Sequence, residues 1–307
     1  MKAAEDVKLD FVKLSVVVAS LSSPAALENC LESIFSNDLL MQGVEIIAAD
    51  CCLKEKTAAY ADKYPAVNFI HFPAKTPLPI LLGAAIARSK GEIITITDSS
   101  CLVAGDWVSS ILRAHEADSP VIGGSVEMSG NDNLTNWAAY FCDYAQFLPS
   151  APRGVVKVVP GNNLSIKRRF LNRKTGFDGL EFWKTEWCGS LQANGTGLIS
   201  EPEIRVRSKK DYRLRTFLAG RFHKGRCFAG RRAMRRSILI RLLYAGGSFL
   251  LPFVFLFRTL VPVFGKKRFL IKLSLSLPII VAAVITWSAG EAIGYLAGAG
   301  KSCGRAD

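Results

Sequence analysis

The stretch Leu14–Ala19 reads LSVVVA, a run of small and β-branched apolar residues. A continuous apolar run of this kind is typical of a strand buried on both faces of a parallel sheet. Ser22-Ser23-Pro24 then has the residue types of a helix cap and first turn, and Ala25–Phe35 carries apolar residues at helical spacing. The stretch therefore predicts one strand followed by one helix.

The same alternation continues to residue 127. Strands and helices that alternate with short connections form a doubly wound α/β sheet, whose ligands bind beyond the carboxyl ends of the strands. Asp50 and Asp98 stand at two of these predicted strand ends. A strand-end aspartate can also be a simple turn former, so both are treated as candidates. The further strands are predicted at Val44–Ala49, Val67–His71, Glu92–Thr97 and Val121–Glu127, and the further helices at Thr57–Lys63, Ile80–Ser89 and Trp107–Ala117.

Beyond residue 127 the pattern is less regular. Pro160-Gly161-Asn162-Asn163 reads as a turn that leads into an apolar strand ending at Ile166. A helix is predicted at Thr185–Ala193 and a strand at Leu198–Val206. The sequence contains no GxGxxG, Walker, HExxH or GxSxG motif, so none of the enzyme classes that those motifs mark is indicated.

Two apolar runs lie near the C-terminus. Leu242–Phe257 has 16 residues without a charge, and Leu273–Gly290 has 18. A membrane span needs about 20 apolar residues, so the second run is the better candidate for a span. We predict a domain at 1–235 and a membrane-associated segment at 236–307, with an interfacial or re-entrant stretch at 242–264 and a transmembrane helix at 273–297.

The formal net charge of +13 is concentrated just before these runs. Between Arg205 and Arg241 there are fourteen Lys and Arg residues and one acid, Asp211. Such a block can bind nucleic acid, a phosphorylated ligand or anionic lipid. Its position before the apolar runs favours membrane lipids. Its aromatic residues form no recognisable stacking platform, so we expect no nucleic-acid partner.

The N-terminus and the cysteines indicate a cellular location. Met1–Lys13 is short and charged and lacks the apolar core of a secretory signal peptide. We therefore expect the chain at the cell membrane, with its α/β domain in the cytoplasm. The eight cysteines show neither a CxxC pair nor zinc-site spacing. In a reducing compartment they would be free, mostly buried thiols.

Several short motifs follow one another in a specific order. They are Ser20 and Asp50 at strand ends, Gly83-x-x-x-Ala87-x-x-x-Gly91-Glu92, Thr97-Asp98-Ser99-Ser100, Gly123-Gly124, and Pro160 to Arg168. In order and spacing they resemble a family 2 glycosyltransferase of the GT-A fold, over roughly residues 12 to 235. The resemblance implies a doubly wound mixed α/β sheet of the nucleotide-diphospho-sugar transferase type, followed by C-terminal membrane helices.

The resemblance also implies a donor site. Asp50 would contact the base or ribose of a nucleotide sugar, expected to be UDP-linked, and Asp98 would bind a divalent metal, Mg or Mn, on the diphosphate. A hard cation of this kind prefers oxygen ligands and neutralises the leaving diphosphate. Arg221 and Arg226 lie where many members carry a basic motif, so they would stabilise the same charge.

On the acceptor side, the resemblance places Asn162 and Asn163 where their amides could hydrogen-bond sugar hydroxyls. The acceptor would be a hydroxyl of a lipid-linked or other membrane-proximal saccharide. The reaction implied is inverting glycosyl transfer, in polysaccharide or glycolipid biosynthesis.

Two departures from the family pattern affect this interpretation. The metal motif has one carboxylate, Asp98, where the family usually has two acids, which predicts weaker metal binding. The family's Glu-Asp pair, which holds the general base, falls on Trp183-Lys184, and neither residue is a base of that kind. The nearest acids are Glu186, our first candidate, and Glu181, our second, although both could be plain surface carboxylates. An alternative hypothesis is therefore a catalytically inactive GT-A domain that acts as a membrane-bound partner or scaffold.

Overall fold

The predicted strand–helix alternation is present. A computed structural model describes residues 12–21, 23–37, 43–51, 57–234 and 236–305. Four parallel strands lie side by side in the order β3-β2-β1-β4. Their bounds are β1 Leu14–Ser20, β2 Val44–Asp50, β3 Val67–His71 and β4 Ile93–Asp98, and the helices between and after them are α1 Pro24–Phe35, α2 Thr57–Lys63, α3 Leu78–Arg88 and α4 Trp107–Ala114.

The first strand and helix form as their residue types predict. Every residue of β1 is buried, as expected for a central strand. Helix α1 begins with Ser23, whose side chain accepts a hydrogen bond from the Ala26 N–H at 3.2 Å, and with Pro24 in the first turn. Its buried residues at helical spacing include Leu27, Leu31 and Ile34, so one face of the helix covers the sheet.

The second half of the sheet makes it mixed. Strand β8 pairs antiparallel with β4 on one side and with β6 on the other, in the order β4-β8-β6-β9-β5. Short β7 pairs with β9 off this path. A parallel half extended by antiparallel strands confirms the predicted doubly wound mixed sheet. The remaining bounds are β5 Cys101–Val103, β6 Val121–Met128, β7 Gly154–Val156, β8 Leu164–Lys167, α6 Lys184–Ala193 and β9 Leu198–Ser208.

The chain divides into two compact units. The first unit comprises Met1–Ala74, Pro79–Ser125 and Pro152–Val206, and it holds most of the sheet. The second unit comprises Lys75–Leu78, Val126–Ala151 and Arg207–Asp307. The boundary at residue 235, predicted between the α/β domain and the membrane-associated segment, falls within the second unit. It stays a prediction.

The second unit is mainly helical. Its apolar core includes Tyr140, Phe141, Phe217, Phe269 and Ile280. Two of its helical stretches, 238–264 and 267–297, are long and apolar enough to cross a membrane. The helices are α5 Leu134–Tyr144, α7 Leu214–Ala233, α8 Ile238–Gly247, α9 Leu251–Phe264 and α10 Lys267–Ala297, with a 3-10 turn between α8 and α9.

One disulfide corrects the expectation that every cysteine is a thiol. Cys227 of α7 and Cys303 are bonded, with their Cα atoms 4.9 Å apart. They are 76 residues apart in sequence, so no local spacing signalled the pair. Other cysteines in the described residues fit the prediction, because they carry thiols and most of them are buried: Cys30, Cys51, Cys101, Cys142 and Cys188.

Candidate active site

Asp50 and Asp98 flank the carboxyl end of β1. Asp50 lies opposite Ser20 on one side of β1, and Asp98 lies opposite Ala19 on the other. Two strand spacings of about 4.8 Å place their Cα atoms about 10 Å apart. The structure thus brings both predicted residues to the edge where ligands of such sheets bind.

Asp50 is held by a neighbour that the sequence analysis missed. Its side chain is 2% exposed, and its Oδ2 atom lies 3.3 Å from Nδ1 of His71. His71 ends β3 directly opposite Asp50, so the two side chains share one face of the sheet. The only available sequence signal was that both residues close a strand. The pair can present an acceptor and a donor to the polar edge of a base or ribose.

Asp98 begins a tight polar turn. One carboxylate oxygen accepts hydrogen bonds from the backbone N–H of Ser100, at 2.9 Å, and from the Ser100 hydroxyl. The described residues contain no cluster of three or more His, Cys, Asp or Glu side chains. Mg²⁺ is commonly bound by one or two carboxylates together with substrate phosphates and water. One carboxylate beside a serine hydroxyl fits that donor set, with the diphosphate supplying the other ligands.

Asn162 lies opposite the Asp98 turn. Strand β8 begins with Leu164 opposite Ile96 of β4, and continuing this antiparallel register brings residue 162 opposite Asp98. The Asn162 amide donates to Sγ of Cys101 at 3.1 Å, three residues beyond Asp98. Asn162 therefore lies beside the candidate metal ligand, in the loop 160–163, which we call the acceptor loop after its predicted role.

Asn163, by contrast, is built into the scaffold. It is 1% exposed, and its side-chain oxygen accepts a hydrogen bond from the Trp107 indole N–H at 3.0 Å. Its amide nitrogen donates to the carbonyls of Ser125 and Ile204, at 2.8 Å each. These bonds hold the loop. Asn162 is buried as well, at 5% exposed, so the two asparagines differ in their partners and not in burial.

The Gly123-Gly124 motif lets this loop pack closely. A Cβ atom on Gly124 would lie 2.1 Å from the Ile204 carbonyl oxygen and 2.2 Å from the Asn163 amide nitrogen. A Cβ atom on Gly123 would lie 2.6 Å from the Val159 side chain. The loop that carries the asparagines approaches both positions so closely that a side chain with a Cβ atom does not fit, so both residues are glycine.

Lys184 connects α6 to the same loop. Its ammonium donates to the Val159 carbonyl at 2.6 Å, and its stem lies beside Gly161. Burial lowers the pKa of Lys184. From the sequence, Lys184 stands at the family's base position without being a base, whereas in the structure it contacts the loop 159–163.

The two candidate bases occupy different places. Glu181 precedes α6, accepts a hydrogen bond from the Trp183 indole N–H at 2.5 Å, and packs with its backbone against Gly83 of α3. Glu186 is exposed in the first turn of α6. Two residues along a helix differ by about 200° in direction, so Glu186 points away from the side on which Lys184 meets the loop. This geometry favours Glu181 over Glu186.

Arg221 and Arg226 lie on α7 in the second unit. The Arg221 guanidinium bonds Asp143 at 2.5 Å and lies over the Trp287 ring, 4.9 Å from its centroid. Burial acts to raise the pKa of Asp143, but the combined attraction of Arg221, Lys224 and Lys210 outweighs it and lowers that pKa. Arg226 donates to the Gly298 carbonyl at 3.1 Å. Their predicted contacts with a diphosphate stay predictions.

A mixed sheet with polar residues at the carboxyl ends of β2 and β4 defines a GT-A nucleotide-diphospho-sugar transferase fold. The model for "Glycosyl transferase family 2" matches residues 15–176. Because this match spans more than half of the chain, the chain belongs to that family. No curated protein sequence matches the chain.

Solved structures agree on the fold. The chain is similar to the mannosyltransferase PcManGT from Pyrobaculum calidifontis in complex with GDP-Man and Mn²⁺, with a TM-score of 0.57 and 16% identity over 92% of this chain and 88% of that one. It is similar to GalNAc-T7 with UDP, GalNAc and Mn²⁺, with a TM-score of 0.51 and 15% identity over 66% and 44%. For S. aureus TarS 1–349 with UDP-GlcNAc the TM-score is 0.50 and the identity 15%, over 66% and 60%. At these identities the likeness shows the fold alone.

Proposed function

We propose that the chain is a membrane-attached, inverting glycosyltransferase that moves a sugar from a UDP-linked donor to a hydroxyl of a lipid-linked or other membrane-proximal acceptor. The observation that carries the proposal is the meeting of Asp50, Asp98 and Asn162 at the carboxyl edge of one sheet. Family membership supports glycosyl transfer in general. The donor, the acceptor and the role in polysaccharide or glycolipid synthesis are our proposal.

In this proposal the donor binds across β1. Asp50, held by His71, accepts a hydrogen bond from the base or ribose. Asp98 is the carboxylate that would hold a divalent metal, Mg²⁺ or Mn²⁺, which would supply positive charge to the leaving diphosphate. Solved neighbours that contain Mn²⁺ with a nucleotide or nucleotide sugar support this choice.

The acceptor binds on the Asn162 side. Asn162 orients a sugar hydroxyl, and Lys184 keeps the loop in place through the Val159 carbonyl. Glu181 takes the proton from the attacking hydroxyl, with Glu186 as the second candidate. A base must come within about 3 Å of that hydroxyl, and the Trp183 indole orients the Glu181 carboxylate for such a contact.

Asp98→Asn tests the donor site. The matched control is Asp106→Asn, since Asp106 is a half-exposed aspartate eight residues further on that faces Arg205. We expect Asp98→Asn to abolish the Mn²⁺-dependent part of UDP binding in calorimetry and to lower donor hydrolysis at least 100-fold. Asp106→Asn should match the wild-type chain in both measurements. Equal Mn²⁺-dependent binding by the two variants would refute the role of Asp98.

Separate variants identify the base. Glu181→Gln should lower turnover at least 100-fold with little change in UDP binding, because the base acts only on the acceptor. Glu186→Gln serves as its control and should stay within about threefold of the wild-type turnover. The opposite order of effects would return Glu186 to first place.

The second candidate function is a catalytically inactive GT-A domain that acts as a membrane-bound partner or scaffold. The single carboxylate at Asp98 and the Trp183-Lys184 pair at the family's base position favour it. The wild-type chain distinguishes the two functions. Measurable hydrolysis of a UDP-sugar supports the enzyme, whereas UDP binding without any hydrolysis of UDP-sugar or GDP-sugar donors supports the scaffold.

Membrane attachment completes the proposal. The stretches 238–264 and 267–297 support it by length and composition. We place the α/β unit on the cytoplasmic side of the cell membrane, where nucleotide sugars are available to it. Flotation of the full chain with membranes in a density gradient tests the attachment.

A further inference from the structure

The second unit exposes a broad apolar surface. Helices α8 and α9 form the stretch 238–264, in which few residues are buried, and they expose large side chains alongside one face of α10. We call this surface the lipid face. Its most exposed members, between 68% and 79% exposed, include Leu239, Leu243, Phe249, Phe253, Phe257 and Ile271.

We propose that the lipid face enters one leaflet of an anionic bilayer and that α10 does not cross the membrane. This inference rests on the membrane attachment proposed above and specifies its geometry. It takes the place of the transmembrane helix expected at 273–297. Soluble proteins rarely leave so large an apolar patch exposed, and the argument against a span comes from what each end of α10 contacts.

The C-terminal half of α10 is packed backbone to backbone against α7. A Cβ atom on Gly290 would lie 2.2 Å from the Phe222 carbonyl oxygen, and one on Gly294 would lie 2.5 Å from that of Arg226. Two hydrogen bonds tie the segment after α10 to the same helix: Arg226 donates to the Gly298 carbonyl at 3.1 Å, and Nδ1 of His223 lies 3.1 Å from the Ser302 hydroxyl. Wherever this half of α10 lies in a bilayer, α7 must accompany it.

Helix α7 is unsuited to the interior of a bilayer. Its 20 residues contain six Lys and Arg residues and no acid. A charged side chain at the centre of a bilayer is strongly unfavourable. Arg221 is paired with Asp143, but this pair still leaves α7 with an excess of positive charge. Because α7 stays in water or among headgroups, the half of α10 that it contacts stays there as well.

The N-terminal end of α10 is held beside the start of α7. Lys272 bonds both carboxylate oxygens of Asp132 at 2.7 Å, and Lys266 donates to the Ser150 carbonyl at 2.7 Å. Asn131 and Asn133, on either side of Asp132, both donate to Asp211, three residues before α7, so Asp132 lies close to the start of that helix. The turn at Gly265 therefore lies on the same side of a membrane as α7, whereas a spanning α10 preceded by a spanning α8–α9 pair would place it on the opposite side.

Charge complementarity selects the bilayer as the occupant of the lipid face. Cationic residues stand at both ends of the face, at Arg236 and Arg241 before and within α8 and at Lys267 and Arg268 after α9. Basic residues beside an apolar helix face suit a layer with anionic headgroups above and acyl chains below. A second copy of this chain would instead bring like charges together.

Cysteine labelling tests the topology. Lys267→Cys and Lys301→Cys place exposed thiols at the two ends of α10, and Arg215→Cys places one at the start of α7 as the reference for the side on which that helix lies. Sealed membrane vesicles of known orientation are treated with an impermeant maleimide, and the wild-type chain supplies the background. We expect all three variants to react in the same vesicle orientation. Reaction of Lys267→Cys and Lys301→Cys in opposite orientations would overturn the inference while leaving membrane attachment intact.

A second experiment tests the lipid face itself. Phe253→Asp with Phe257→Asp should lower binding to vesicles containing 30% phosphatidylglycerol at least tenfold. Val155→Asp, on the first unit, is the matched control because Val155 is 78% exposed, and it should leave binding unchanged. If the double variant splits a dimer but binds vesicles normally, the face is an interface between copies. If the wild-type chain binds no vesicles, the proposed attachment fails together with this inference.

Discussion

Asn163→Ala tests the distinction between the two asparagines of the acceptor loop. The substitution removes the acceptor of the Trp107 indole N–H and the donor to the carbonyls of Ser125 and Ile204. At about 1 kcal/mol for each of these bonds, their loss lowers the free energy of unfolding by about 3 kcal/mol. The buried indole N–H left without a partner adds about 1 kcal/mol more.

Hydrogen exchange in a urea series measures this effect in the first unit alone, through peptides from β6 and β8. If the free energy of unfolding falls by about 2 kcal/mol for each molar of urea, a loss of about 4 kcal/mol lowers the urea midpoint of unfolding by about 2 M. The control is Asn162→Ala, because its amide bonds the weak acceptor Sγ of Cys101. We expect that variant to lose less than about 1.5 kcal/mol of stability but at least tenfold in turnover. Equal destabilisation by the two variants would refute the assignment of scaffold and site.

Four further outcomes are expected. Gly83→Ala should lower the free energy of unfolding by about 2 kcal/mol or more, measured by urea unfolding, because its Cβ atom would lie 2.4 Å from the Leu180 carbonyl oxygen. Burial lowers the pKa of His115 to about 4, so as the pH falls from 6.5 to 4 the imidazole is protonated in the unfolded chain but not in the folded one. The free energy of unfolding should therefore fall by about 3 kcal/mol over this range. Urea unfolding at several pH values measures this pH dependence, and His115→Gln should remove it. Lys184→Met should change the free energy of unfolding by less than about 1 kcal/mol, because it removes both the hydrogen bond to Val159 and the cost of burying an ammonium group. The same variant should lower donor hydrolysis at least tenfold. Mn²⁺, followed by paramagnetic resonance, should bind measurably only with UDP present, because Asp98 alone supplies one charged ligand.

The sheet and its ligand-binding edge could be predicted because their signals are local. LSVVVA indicates a buried strand by itself, and an aspartate after an apolar run marks a strand end without knowledge of any partner. The place of Asn163 could not be predicted, since its three partners lie between 38 and 56 residues away in sequence. Two adjacent asparagines are equivalent in sequence, and only the register of β8 separates the one that bonds Trp107, Ser125 and Ile204 from the one opposite Asp98.

In the second unit, the length and composition of the apolar runs were less informative than the local strand signals of the sheet. They identify α10 as long enough to span, but they do not show that its small residues, Gly290 and Gly294, contact a cationic helix rather than lipid. The disulfide was missed for the same reason, because Cys227 and Cys303 are brought together only by that packing. Long-range contacts, not local pattern, determine where such a helix lies.

The two departures from the family pattern change the charge of the candidate site in the same direction. The second acid of the metal motif is absent beside Asp98, and a cation, Lys184, stands at the family's base position against the loop that carries Asn162. If the proposed donor binds there, both changes make the surroundings of its diphosphate less negative, and we expect less need for a metal to hold that group. Metal-independent binding of UDP would therefore be compatible with an active enzyme. Hydrolysis of the donor, rather than the metal dependence of binding, separates the enzyme from the scaffold.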